Sequence, residues 1–472
     1  MNLREGHKTM NDTKIRINKI TLWDLKSVAH GVINLNAMDT FRQGKATIMG
    51  LYGQNASGKT VVVEALAIIK HIMNGQRIPP RYLDCIANGK DECSIEVEFL
   101  INNEDYDYTV IYKCTLAHRN DPNECDDNLK KILAVISESL RARGTFLGKK
   151  IIMQDIARTS EHDPHISPAE KRTVLFGTDQ NVLRTLELQK VLALYGSRSF
   201  IFSSQAFDAM KRNARICKNE NAVWPHMLIA YLKLYALNSF IVIDELAALN
   251  HDLYIVKKIE SLSVPLKIPK MLGSDAATLK EIVDDIDALL PYLNNILSSI
   301  VPDLALEYKH EIISLDKGDD KYRAEFLSNR KELGAFPFKN ESLGIKKIVS
   351  FIILIAEVYN NPSFTLAIDE IDASIFEYLL GEILDVVSAS GKGQLIFTSH
   401  NLHPLERLDA QSVWFTTTDP ASRYVQMSKK ATNNLRNMYL RAIQIGHEDK
   451  ELYSGDSKHA LAYAFRKMGR RK

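Results

Sequence analysis

Hydrophobic and polar positions change rhythm several times along the chain. Between Lys14 and Leu51 they alternate weakly in "IRINKITLWDL", and then "KATIMGL" forms an unbroken apolar run that delivers the chain to Gly53. Weak alternation predicts a half-buried strand, and the unbroken run predicts one covered on both faces. "VVVEALAIIKHIMNG" follows at helical spacing, with Thr60 opening it and Gly75 where a C-terminal stop belongs. "CSIEVEFLI" and "YDYTVIYKCTL" then alternate with period two on either side of "NNED", which predicts an antiparallel hairpin.

The stretch from about Asp121 to Asp320 reads as mostly helical with several polar interruptions, and includes "DAATLKEIVDDIDALLPYLNNILSSIV". Heptads are not sustained, so a long coiled coil is not expected; a compact helical insertion is. From Phe336 onward the rhythm tightens: helix "SLGIKKIVSFIILIAEVY", strand "FTLAID", helix "ASIFEYLLGEILDVVSAS", strand "QLIFTSH". Strands alternating with helices are the mark of a parallel sheet with crossover helices. The expected fold class is α/β with a mixed sheet and a helical insertion. Its parts are an N-terminal lobe over 1–120, the insertion over 121–330, a C-terminal lobe over 331–430 and a helical tail over 431–472.

Composition narrows the function classes. The 472 residues are 45% hydrophobic and 25% charged, an ordinary globular balance, and the net charge of +2 gives no global field for nucleic acid. The tail "RKMGRRK" (Arg466 to Lys472) is basic, but a solvated terminus explains it more simply. Cys85, Cys93, Cys114, Cys125 and Cys217 contain no CxxC pair, so a reducing compartment is expected rather than a disulfide framework. The N-terminus lacks an apolar signal core, and Ile348 to Tyr359 is too short to span a bilayer. The expected location is the cytoplasm, with no membrane partner.

Chemistry concentrates at the first strand–helix junction. "GQNASGKT", Gly53, Gln54, Asn55, Ala56, Ser57, Gly58, Lys59 and Thr60, matches GxxxxGK[ST] between a strand and a helix. The glycines let successive N–H groups turn inward, and with the helix N-terminus they make an anion site for phosphates. Lys59 is expected to reach the β- and γ-phosphates of ATP, and the Thr60 hydroxyl to ligate Mg²⁺.

Hydrolysis needs a second strand bearing carboxylates. Two candidates exist, "SFIVIDE" (Ser239 to Glu245) and "SFTLAIDE" (Ser363 to Glu370). The second is preferred, because Asp372, a helix and a strand ending in His400 come after it; the first reads as a strand end with solvated acids. Asp369 is then the Mg²⁺ carboxylate, Glu370 the general base for the attacking water, and His400 a γ-phosphate contact.

The order of "GQNASGKT", "NESLGIKKI", "FTLAIDEIDAS" and "IFTSHN" resembles the ABC-type ATPase heads of the SMC and RecF kind. It is similar, more closely, to bacterial AAA-type ATPases related to the overcoming-lysogenization-defect (OLD) family, which include ATPase subunits of phage-defence systems. The resemblance covers roughly the first 75 and last 140 residues. It implies a P-loop NTPase fold of the ABC-ATPase type. It also implies that Ser342 and Gly344 grip the γ-phosphate held by a second head, and that Asp372 lies at the same seam. An ordinary capped helix start accounts equally well for "ESLG". The sequence departs from the transporter signature, Gln205 and Gln154 are weak candidates for the lobe-linking glutamine, and the roughly 70 residues after His400 carry no TOPRIM acids. The implied function is an ATPase that pairs through its heads. It would serve as sensor or regulator for a separate effector, a nuclease or toxin, with a phage protein or nucleic acid as trigger. The alternatives are a DNA-binding repair ATPase of the RecF or SMC type and a scaffold that binds ATP without turnover.

Overall fold

The computed structural model describes residues 13–426 except 104, 122–130, 218–219, 245–253, 260–261, 268–275, 316–318, 374 and 376, together with 435–445, 463 and 465–468. Its centre is a six-stranded sheet in the order Tyr424–Val425, Val413–Thr416, Thr47–Tyr52, Gln394–Thr398, Thr365–Ile368, Phe240–Ile243. All pairings are parallel except that of the short edge strand Tyr424–Val425. Register aligns Thr47, Gln394, Thr365 and Phe240 in one row. The strand tips beyond Leu51, Thr398, Ile368 and Ile243 therefore open along one edge, where ligands of parallel α/β sheets bind.

A parallel sheet must be covered on both faces. One face packs against the helix Lys59–Met73, which buries eleven of its fifteen residues. The other packs against Leu343–Asn360, Glu377–Ser390 and Leu435–Ile445, through residues such as Phe351, Leu354, Leu380, Leu384 and Tyr439. Each fully buried Leu, Ile or Phe contributes about 1.5–3 kcal/mol.

A second sheet of seven antiparallel strands runs in the order Val28–Asn34, Lys14–Leu25, Glu92–Asn102, Tyr106–Asn120, Lys131–Phe146, Lys149–Ser160, Asp163–Ser167. The expected hairpin is its Glu92–Asn102 and Tyr106–Asn120 pair. The middle of the chain is not the mainly helical insertion that its pattern predicts. Lys131–Ser167 forms three strands of this sheet, and helices begin only at Ala169. "KILAVISESLRARGTF" does alternate, but Glu138 stands on its buried face, where a charge disguises the period of two. Four helices come next, Ala169–Phe176, Gln180–Tyr195, Ser204–Cys217 and Glu220–Asn238. Ala276–Ile300 then packs on a three-stranded sheet, Leu304–Leu315, Asp319–Arg330 and Gly334–Pro337.

Arg16 fastens the two large sheets together. Its buried guanidinium donates to the Lys45 carbonyl at 2.7 Å, Thr47 Oγ1 at 2.9 Å, the Pro362 carbonyl at 3.3 Å and the Lys392 carbonyl. Nearby, the Gln394 amide bonds the backbone N–H and carbonyl of Ile17 at 2.9 and 2.7 Å. Burial without such acceptors would cost several kcal/mol, so these bonds fix how the antiparallel sheet meets the base of the parallel one.

Candidate functional site

The glycines of the phosphate loop are required by what surrounds them. A Cβ on Gly53 (φ +156°) would lie 1.7 Å from Thr416 Oγ1, and one on Gly58 (φ +94°) 3.0 Å from Val28 Cγ2. Ser57 Oγ donates to the Gln54 carbonyl at 2.6 Å and shares a hydrogen bond with Thr416 Oγ1 at 2.5 Å. The Tyr424 hydroxyl donates to the Gly58 carbonyl at 2.8 Å. Strand ends far apart in sequence thus hold the loop open around its mouth, where Asn55, Ala56 and Thr60 are exposed.

The helix Lys59–Met73 has Gly58 as its N-cap, no side-chain cap and no acid in its first turn. Its leading N–H groups and dipole suit an anion, which is what a triphosphate presents. Lys59 is 6% exposed and donates from Nζ to the carbonyls of Gly53 at 2.8 Å and Gln54 at 2.9 Å. Burial lowers its pKa, and Asp369, Glu370 and Asp372, in that order, oppose the shift. The two halves of the predicted site therefore converge, although some three hundred residues separate them.

The acids occupy different settings. Asp369 is 8% exposed, and its Oδ1 accepts from Thr398 Oγ1 at 2.5 Å. That bond engages one carboxylate oxygen. The other, and the exposed Thr60 hydroxyl, are the oxygen donors that could hold Mg²⁺ if phosphates and water completed the shell. Glu370 is exposed and holds φ +48°, a conformation non-glycine residues rarely adopt. Its N–H donates to Thr398 Oγ1 at 2.8 Å. Asp372 accepts from the N–H groups of His400 at 3.2 Å and Asn401 at 2.9 Å, which orders the turn carrying the exposed His400 side chain. Beside that turn, Asp372, Glu377, His400, Asn401, Leu402, His403 and Arg436 line an open cavity of about 470 Å³.

Ser342 and Gly344 start the helix Leu343–Asn360. Ser342 Oγ caps it by accepting from the Ile345 N–H at 3.3 Å, and buried Glu341 beside it takes two 3.0 Å bonds from Arg330. The first acid pair is corrected in detail. Asp244 is not solvated: its carboxylate, 9% exposed, accepts from Arg81 at 3.1 Å and from the Tyr82 hydroxyl. Glu245 lies outside the described residues. Gln205 opens a helix three residues after Phe202, whose carbonyl lies against Gly75. That is the far end of a fifteen-residue helix, about 22 Å along its axis from the phosphate loop. Gln154 lies in the antiparallel strand Lys149–Ser160 opposite Ala142. Sequence reading passed over Thr398, Thr416 and Tyr424, whose only signal is that each stands at or beside the end of a core strand.

No family model and no curated protein matches the chain. Solved structures do. The SMC head domain from Thermotoga maritima is 13% identical, covers 88% of this chain and 100% of its own, and has a TM-score of 0.35. The Smc head domain with a coiled coil and joint from Pyrococcus yayanosii is 10% identical, covers 91% and 100%, and scores 0.42. The recombination mediator protein RecF with ATP is 10% identical, covers 88% and 100%, and scores 0.38. With TM-scores below 0.5, these remain likenesses. The described residues form an α/β fold with sheets of mixed orientation, a six-stranded sheet parallel but for one edge strand beside a seven-stranded antiparallel one. Among the described residues, no helix is long and apolar enough to cross a membrane.

Proposed function

We propose that this chain is a Mg²⁺-dependent ATPase that pairs head to head, and that it is the cytoplasmic sensor or regulatory subunit of an antiphage defence system with a separate effector. The observation that carries the ATPase reading is that Lys59 and the Asp369–Glu370 pair follow the same-edge tips of two strands of one parallel sheet with a single strand between them. The loop N–H groups and Lys59 bind and orient the triphosphate, while Thr60 and Asp369 hold the cation. Bound Mg²⁺ supplies charge neutralisation at the phosphates. Glu370 accepts the proton of the attacking water, and His400 steadies the γ-phosphate. Ser342, Gly344 and Asp372 face the nucleotide of the partner head, so nucleotide contacts made only in the closed pair shift the population toward it. The effector reading is supported by the OLD-type order of the motifs, with a phage protein or nucleic acid as trigger.

The test is ATP turnover and oligomer size of Glu370→Gln with Mg²⁺. Binding with lost turnover and an accumulated closed pair is the expected result; hydrolysis at the parent rate overturns the assignment of the base.

One observation favours a second reading, a DNA-binding ATPase of the RecF or SMC type. Arg143, Lys149, Lys150 and Arg158 are exposed on two neighbouring strands of the antiparallel sheet. Salt-dependent DNA binding and DNA-stimulated turnover without a partner protein would select it.

A further inference from the structure

Thr398 bonds both acids, and it lies in "IFTSHN", two residues before His400, with no role assigned to it so far. Its side chain is 1% exposed, at the tip of the strand that separates the phosphate-loop strand from the acid strand. The hydroxyl is used twice. It donates to Asp369 Oδ1 at 2.5 Å and accepts from the Glu370 N–H at 2.8 Å. The backbone next to it is used twice as well: the Ile371 N–H donates to the Thr398 carbonyl at 3.0 Å, and the Ser399 N–H donates to the Leu51 carbonyl at 3.2 Å.

Three of these bonds converge on one strained point, Glu370, and the fourth ties the same strand tip to the phosphate-loop strand. Glu370 is held at φ +48°, a left-handed conformation that a non-glycine residue keeps only where its surroundings enforce it. The Glu370 and Ile371 N–H groups, on either side of that residue, are both bound by Thr398. The bend turns the Glu370 side chain out of the sheet into solvent, whereas Asp369 one residue earlier stays buried. The same hydroxyl proton engages one oxygen of Asp369 and so decides which oxygen is left for another partner.

We propose that Thr398 is a positioning residue that sets both acids at once: the backbone bend that aims Glu370, and the rotamer of Asp369. The proposal rests on the ATPase reading above. It requires a side chain that donates and accepts in one place. Serine satisfies that requirement. Valine has nearly the same shape but supplies neither bond, and it leaves the Glu370 N–H without its partner.

Three variants of the full chain, Thr398→Val, Thr398→Ser and Glu370→Gln, decide it, with ATP and Mg²⁺ as the probes. Thr398→Val is expected to lower kcat by about 10- to 100-fold with KM changed less than about threefold, the signature of a group that acts on the transition state. Thr398→Ser is expected to stay within about threefold of the parent. Added to Glu370→Gln, Thr398→Val is expected to cost less than it does in the parent, because the part that acts through the Glu370 carboxylate is already lost and only the part through Asp369 remains. A smaller folded fraction would also lower apparent kcat at unchanged KM, so thermal unfolding of each variant is measured alongside and turnover is counted per folded molecule. If Glu370→Gln is inactive while Thr398→Val turns over like the parent, or if Thr398→Ser fails as badly as valine, the positioning role is wrong and the ATPase reading survives. A parent chain without turnover overturns both.

Discussion

Two carboxylate sites, one at Glu138 and one at Asp369 and Glu370, contrast an acid that is saturated by donors with the pair proposed above to act on a nucleotide. Glu138 is fully buried and surrounded by donors: Tyr112 at 2.8 Å, Ser199 at 2.5 Å, Thr159 at 3.4 Å, and the N–H groups of Phe200 and Ile201 at 2.8 and 3.0 Å. Every direction it offers is filled, and it pins the segment before the helix Ser204–Cys217 to the antiparallel sheet. At the strand tips the opposite holds. Thr398 takes one oxygen of Asp369, and Glu370 is turned to solvent through a strained backbone. Saturation makes an anchor. Incomplete satisfaction at a strand tip leaves groups to act on something else.

The sharpest way to separate the two is the same change at each. Glu370→Gln is expected to reduce ATP turnover by about 10²–10⁴-fold while leaving unfolding midpoints within experimental scatter, checked by phosphate release and denaturant titration. Glu138→Gln is expected to do the reverse. One amide nitrogen would face donors, destabilising the fold by about 1–3 kcal/mol, read as a lower denaturant midpoint at unchanged slope, with turnover per folded molecule preserved.

The buried acid also predicts a pH signature. Burial raises the pKa of Glu138, and its hydrogen bonds from Ser199, Ile201, Tyr112 and Phe200 oppose that. The folded state then holds a proton that the unfolded chain releases near its ordinary value of 4.5. Its contribution to stability is full below that pH and is lost as pH rises toward the folded pKa. Stability of Glu138→Gln, tracked by denaturation across that window, is expected to lack this decline.

A third comparison concerns space rather than charge. Gly53→Ala forces a Cβ onto Thr416, so it is expected to lower nucleotide affinity by about tenfold or more, on the order of 1–3 kcal/mol, in equilibrium ATP binding. Thr416→Ala in the same chain should recover part of it. The smallest effect on the fold is expected at Ser342. Aspartate caps a helix as well as serine, so Ser342→Asp should leave stability within about 0.5 kcal/mol. A carboxylate facing a γ-phosphate repels it, so turnover and head pairing should still fall; if they do not, Ser342 is a cap and nothing more.

Legibility in the sequence tracked the range of the forces involved. Gly53 to Thr60 could be read directly, because a strand, a glycine turn and a helix start are local events. The helix–strand alternation after Phe336 was equally legible, since buried parallel strands write themselves as apolar runs. Lys131–Phe146 was not, because a single inward glutamate, satisfied only by residues 21 to 63 positions away, broke the alternation that marks a strand. The choice between the two acid pairs could be made from the Asp372, helix and His400 strand downstream of the second. The reason Asp244 is engaged elsewhere lies in Arg81 and Tyr82, which no spacing connects to it.

Local pattern alone placed a glycine-rich turn, a pair of acids and a histidine each at the end of an apolar strand. That these strands share one sheet, in an order that sets Thr398 between the acid strand and the loop strand, emerges only on folding. Strand order, buried polar partners and enforced backbone strain depend on contacts between residues hundreds of positions apart, and local pattern carries no record of them.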